Sequence, residues 1–225
     1  FILVIYTGFT SDNFFTKNNF MNILMNMSSR LVIALGIAGC VITAGCDLSA
    51  GRMIGFGACI SGMLLQRMDY SGKFFPDMQP LNVFVVALIA MLVCAAFGTV
   101  TGFFIAYLNV PPFIATLAMM EIVYGIGLIV TNATPLGGYV EQYTNVSNGK
   151  FLGINYLIWI AIIVAAITWF IFNMTRHGKY MYAIGGNPQA AEVAGVPVKA
   201  TLILIYMKAA AMYGLAGFMM GAKAG

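Results

Sequence analysis

Five stretches of the chain, residues 31–46, 78–120, 122–140, 151–175 and 209–222, contain no Asp, Glu, Lys or Arg. A helix crosses about 30 Å of hydrocarbon in about 20 apolar residues, and several of these runs reach that length. Of the 225 residues, 61% are hydrophobic and 8% charged, where a water-soluble domain carries roughly a quarter charged. With a mean hydropathy of +0.91, the solvent this sequence implies is a lipid bilayer.

The longest run is too long for one crossing at about 1.5 Å per residue. Asn109-Val110-Pro111-Pro112 divides it where a helix has to stop, which predicts spans over about 82–107 and 112–131. Apolar segments at 31–46 and 53–66 flank Asp47-Leu48-Ser49-Ala50-Gly51-Arg52, a polar hinge whose Asp47 and Ser49 are expected to cap the following helix. Residues 154–173 form the cleanest span, with Trp169 and Phe172 near one end and Tyr156 near the other, as in interfacial aromatic belts. A last span begins near 200. The first six residues read as the tail of a truncated helix, and Thr10 to Asn22, with Asp12, Asn13 and Lys17, as an exposed connection. The expected fold is all-α: a polytopic helical membrane protein with about seven membrane segments, forming a single transmembrane domain over 1–225 that is truncated at both ends. Gly51/Gly55, Gly98/Gly102 and Gly217/Gly221/Gly225 have the small-xxx-small spacing that lets helix backbones approach.

The net charge of +4 comes with no basic face or Arg-rich run to neutralise phosphates, so nucleic acid is not an expected partner. The excess reads as membrane orientation instead. Arg176, His177, Lys179 and Lys199 stand against Glu192 alone, and Lys and Arg accumulate on cytoplasmic connections, which puts 174–199 inside. Alternation then places 132–153 outside, 108–111 inside, 67–80 outside, 47–52 toward the inside and 10–29 outside.

No nucleophile–base arrangement is present, and the sole histidine, His177, reads as solvated or headgroup-facing. There is no HExxH and no GxxxxGK[ST], so the chain is not expected to be an enzyme, and any ATP must be bound by another chain. Cys40, Cys46, Cys59 and Cys94 have no CxxC spacing and read as small residues between helices. No catalytic residue, metal or cofactor is expected.

Within 174–199, Gly185-Gly186-Asn187-Pro188 reads as a turn, and Gln189-Ala190-Ala191-Glu192-Val193-Ala194 as a short helix stopped by Gly195 and Pro197. Such a helix across the cytoplasmic mouth suits docking into a groove of another protein; the plainer alternative is an interfacial helix that only links two spans.

The strings Thr175-Arg176-His177-Gly178-Lys179 and Tyr182 to Val196, together with Thr43 to Gly51 and Ala106 to Leu117, resemble the permease subunits of ABC sugar importers of the ribose, xylose and galactoside group. The resemblance runs over nearly the whole chain and leaves a short amino-terminal piece and roughly the last third of the family pattern missing. It implies that two permease subunits line a pathway in the bacterial inner membrane. Cytoplasmic ABC ATPase subunits would dock on the coupling loop at Gly185, Gly186, Asn187, Pro188, Gln189, Ala190, Ala191, Glu192 and Gly195, and an extracytoplasmic sugar-binding protein would deliver a monosaccharide such as galactose or a galactoside. The rivals are a secondary sugar transporter without an ATPase partner and a membrane-embedded structural subunit.

Glu121 and Lys208 interrupt apolar helices, where one charge near the centre costs about 2.5–3.5 kcal/mol on insertion scales. Their similar distance from the inner ends of their spans makes an ion pair one reading, with separate polar partners or a water-lined cavity as the others. Asp47, Ser49 and Arg52 are candidate pathway residues; capping and a snorkelling Arg explain them as cheaply.

Overall fold

The computed structural model describes residues 2–10 and 14–225, and its order of elements is α1 (Ile2–Thr10), α2 (Lys17–Ile42), α3 (Ala50–Leu64), α4 (Val83–Tyr107), α5 (Pro112–Thr131), α6 (Glu141–Asn148), β1 (Lys150–Phe151), β2 (Ile154–Asn155), α7 (Tyr156–Met174), α8 (Arg176–Gly186), α9 (Pro188–Val193) and α10 (Val198–Ala224). The helix boundaries follow local chemistry. Asn82 Oδ1 accepts from the Phe84 amide at 2.9 Å and Asn155 Oδ1 from the Leu157 amide at 2.8 Å, capping α4 and α7. Pro112 occupies the first position of α5, where its missing N–H costs nothing.

The chain is a helical, multi-pass membrane protein, but the span count differs from expectation. Among the described residues five helices, α2, α4, α5, α7 and α10, are long and apolar enough to cross a membrane, against the expected seven. The nine residues of α1 and the 15 of α3 are too few. α3 is short because residues 43–49 enter the bundle without being helical. Residues 31–42 of the expected segment 31–46 are the second part of α2, which begins at Lys17 under a Thr16 cap, and 43–46 are not helical. Much of the supposed exposed connection is therefore helix; its residues Ser11, Asp12 and Asn13, like Phe1, lie outside the described residues.

α10 is the central post. In its most apolar 18-residue stretch 56% of residues are buried, against 17–28% in the other four spans, and it packs on α4, α3 and α2. Glycine makes these crossings close. A Cβ at Gly214 would lie 2.5 Å from the Ala90 carbonyl oxygen of α4, and one at Gly98 would collide with the Tyr206 carbonyl of α10. The Gly98/Gly102 and Gly217/Gly221 pairs therefore mark real contacts. At Gly51 and Gly55 nothing among the described residues lies within 4 Å of an added Cβ.

At one end of the bundle, Arg67 N donates to Gly138 O (2.7 Å), Val140 N to Leu65 O (2.9 Å) and Gln66 Nε2 to Gly137 O (3.1 Å), knitting the 65–81 loop to the 132–153 connection. The latter holds α6 and β1, unforeseen in a stretch read as loop, and β2 takes the first two residues of the expected span 154–173. Tyr143 of α6 is fully buried and donates to Phe218 O at 2.8 Å. At the other end the close of α2, α8, Tyr107 and Lys199 come together: the Lys199 ammonium sits 5.2 Å from the Tyr107 ring centroid.

Candidate functional site

Two features stand out, one at an end of the bundle and one at mid-height. The first is the segment 174–199, which forms two helices rather than a turn and one helix. Gly185 and Gly186 close α8 instead of turning. α8 docks flush because Gly178 lies against the Phe172 carbonyl and Gly185 against the Ile42 carbonyl, leaving no room for a Cβ at either. Asn187 then serves twice: its amide N–H bonds to Ala183 O (3.1 Å) and ends α8, while its Oδ1 accepts from Ala190 N (3.0 Å) and starts α9. On α9 only Ala191 is buried; Pro188, Gln189, Ala190 and Glu192 are exposed, and Val193 is 91% exposed. Gly195, at φ +82°, reverses the chain toward α10.

The joint above this segment bears on His177 and on the ion-pair reading of Glu121 and Lys208. His177 is half-buried rather than fully solvated: its Nε2 is buried without a hydrogen-bond partner among the described residues, in a cavity of about 20 Å³ shared with Gly39, Phe172, Met181 and Lys208. Burial, with the Lys208 ammonium nearby, lowers its pKa to about 4. Lys208 therefore faces α8, whereas Glu121 is exposed on α5. They are not brought together, and the one ion pair among the described residues is Arg67–Asp69 at 3.6 Å.

The second feature is the non-helical segment after α2. Ala44 takes a left-handed conformation (φ +56°), costly for a residue with a Cβ, and redirects the chain into the bundle. Asp47 does not cap α3. Its Oδ1 accepts from the Ser49 amide (2.9 Å) and the Ser49 hydroxyl (2.6 Å), and its Oδ2 from the Tyr213 hydroxyl (3.0 Å). Ser49, buried, occupies the cap position but gives its hydroxyl to Asp47. Leu48 N donates to Thr116 Oγ1 at 3.2 Å. Tyr213 lies about 22 Å from the start of α10 at 1.5 Å per residue, so Asp47 and Ser49 sit half-way along the central helix rather than at an inner mouth.

α3 consequently opens inside the bundle. In its first turn Arg52 lies with Cζ 3.8 Å above the Tyr124 ring centroid of α5, beside a cleft of about 210 Å³ between α3 and α5 bordered by Gly51, Gly55, Cys59 and Thr131. Stacking of this kind is worth about 0.5–2 kcal/mol, less than the about 2.5–3.5 kcal/mol that insertion scales assign to an Arg in hydrocarbon. A larger groove of about 650 Å³, lined by Phe84, Trp159 and Ile163, lies between α4 and α7 and carries no titratable group beyond Tyr156. No three His, Cys, Asp or Glu side chains gather to hold a metal among the described residues, and the four cysteines are free thiols. Tyr213, Thr116 and Tyr124 escaped the sequence reading; their only signal was a polar handle within an apolar helix.

Comparison with known proteins agrees with the architecture. Residues 19–225 match the family described as "Branched-chain amino acid transport system / permease component". The galactose/methyl galactoside import permease protein of Haemophilus influenzae is 41% identical over the whole of this chain and 70% of its own length. The protein of the same name from Escherichia coli strain K12 is 39% identical over the whole chain and 69% of its own length. The ribose import permease protein of that strain is 31% identical over 96% of this chain and 65% of its own length. No solved structure gives a significant match. By the extent of these matches, the chain belongs to the transport-system permease-component family that includes the galactose and ribose import permeases.

Proposed function

We propose that this chain is the permease subunit of an ATP-driven importer in the bacterial cytoplasmic membrane, moving a monosaccharide such as galactose or methyl galactoside inward. ATP is hydrolysed on separate ATPase subunits, sugar arrives on an extracytoplasmic binding protein, and a second copy of the permease completes the pathway. The chain itself makes and breaks no bonds.

The observation that carries this reading is α9, an exposed helix held on a rigid base. Five of its six residues face away from the bundle, while α8 beneath it is seated by backbone-to-backbone contact on α2 and α7. A push on α9 is thus passed to the ends of two spans without passing through flexible side chains. The cluster of Arg176, Lys179 and Lys199 against Glu192 supports a cytoplasmic placement, and the relatives are named as import permeases.

The non-helical segment 43–49, with a carboxylate at mid-bundle, favours a second reading, since secondary transporters bind substrate and coupling ions at broken helices. One experiment separates the two. Galactose uptake is measured in proteoliposomes holding the complex purified with its ATPase, with binding protein on the outside. Uptake that requires lumenal ATP and ignores ion gradients is expected; uptake driven by a sodium or proton gradient without ATPase would replace the proposal with its rival.

A further inference from the structure

The Arg52 guanidinium sits in the first turn of α3, at the rim of the open α3–α5 cleft, and helix packing does not account for it. It is exposed, lies over Tyr124 and has no carboxylate within ion-pair reach among the described residues. Stacking on the ring fixes its plane and leaves its five N–H donors unmatched among the described residues. Beside it, one turn apart on α3, Gly51 and Gly55 present bare backbone to open space, so a ligand can lie against the helix itself. The opposite wall carries Tyr124, Gly127 and Thr131, with Cys59 farther along α3. The space, about 210 Å³, is below the roughly 300–1,000 Å³ of sites for drug-sized molecules and matches a single sugar ring.

These features belong together chemically. A planar fork of donors meets two adjacent hydroxyls in the same way that it meets the two oxygens of a carboxylate. Glycine backbone allows close approach of a flat, hydroxyl-edged ring. An open cleft with few polar groups holds its guest weakly, as a pathway requires if the guest is to leave.

We infer that the α3–α5 cleft is a transient contact site for one neutral hexose ring within the bilayer, with Arg52 donating to adjacent hydroxyls and Tyr124 holding the guanidinium in place. This rests on the transport reading above and adds to it a location and a ligand class. Asp47 and Ser49 do not take part in binding: their polar atoms are spent on each other and on Tyr213, and they set where α3 begins.

The test uses the assembled complex in proteoliposomes, with ATP, binding protein and labelled galactose. Gly55→Val narrows the cleft at a position where an added side chain meets nothing, and Arg52→Gln removes the charged fork. Each is expected to lower uptake by about tenfold or more, with the melting temperature of Gly55→Val at or above that of the unsubstituted complex. A second measurement needs no change in the cleft. With Cys46 replaced by Ser and Cys40 and Cys94 buried, a water-soluble thiol reagent should label Cys59, and saturating galactose should slow that labelling. If the unsubstituted complex transports galactose while both variants stay within about twofold of it, the cleft assignment is overturned and the transport reading stands. Cys59 labelling that is absent, or indifferent to galactose, overturns the assignment as well. If the unsubstituted complex shows no ATP-dependent uptake, the transport reading fails and the assignment fails with it.

Discussion

Removing the Tyr213 hydroxyl tests the mid-bundle segment directly. Tyr213 is fully buried, and its hydroxyl donates to Asp47 Oδ2 at 3.0 Å; a buried hydrogen bond to a charged acceptor is worth about 1.5–3 kcal/mol. Tyr213→Phe keeps the ring and its packing against Gly36, so no cavity opens and the loss is confined to the hydrogen bond. Asp47→Ala should cost more, because the same carboxylate holds Ser49 through two further bonds. Once Asp47 is Ala, adding Tyr213→Phe should be nearly free, giving a coupling energy of at least about 1 kcal/mol in a double-mutant cycle. Equilibrium unfolding in mixed micelles reads this out through Trp159 and Trp169, the two tryptophans of the chain, both on α7. A loss below about 0.5 kcal/mol for Tyr213→Phe, or strict additivity with Asp47→Ala, would refute the argument that this bond fixes the start of α3.

Three further outcomes follow from packing and charge. Gly214→Ala drives a methyl into the Ala90 backbone and should cost about 1–3 kcal/mol, whereas Gly51→Ala, in open space, should stabilise by up to about 1 kcal/mol; thermal scans that reverse this order would contradict the helix crossings described. His177 is neutral in both folded and unfolded chains above its ordinary pKa of about 6.5. Between there and about 4 the unfolded chain takes up the proton first, so stability should fall as pH drops through that window, and His177→Gln should flatten the slope. Lys208→Met and Glu121→Gln should be additive within about 0.5 kcal/mol, since the two side chains do not meet; a coupling energy above that in the double variant would restore the ion pair.

The sequence is most legible where a single residue forbids the alternative. Pro111-Pro112 sets the start of α5, and Asn82 and Asn155 set those of α4 and α7, because a missing N–H or a capping side chain acts locally. Where the deciding contact comes from another helix, the sequence is silent. Residues 17–22 look like part of an exposed connection because Lys17, Asn18, Asn19 and Asn22 are polar, yet they open α2, whose Asn26 meets Lys223 at the far end of α10. Arg176 to Lys179 look like loop because Gly178 interrupts them, but that glycine is the contact point with the Phe172 carbonyl. Equal depth along two helices made Glu121 and Lys208 plausible partners; depth fixes position along the bundle normal but not the direction a residue faces, and Lys208 faces α8. The Arg52–Tyr124 stack joins residues 72 apart and leaves no local trace.

An importer's coupling helix must face the cytoplasm, so the side of the membrane on which α9 lies is decisive. With Cys46 and Cys59 replaced by Ser and Gln189 by Cys, a membrane-impermeant maleimide should label residue 189 in inside-out vesicles and leave it untouched in intact cells. Labelling from the outside of intact cells would place α9 away from any cytoplasmic ATPase and would contradict the importer assignment at its base.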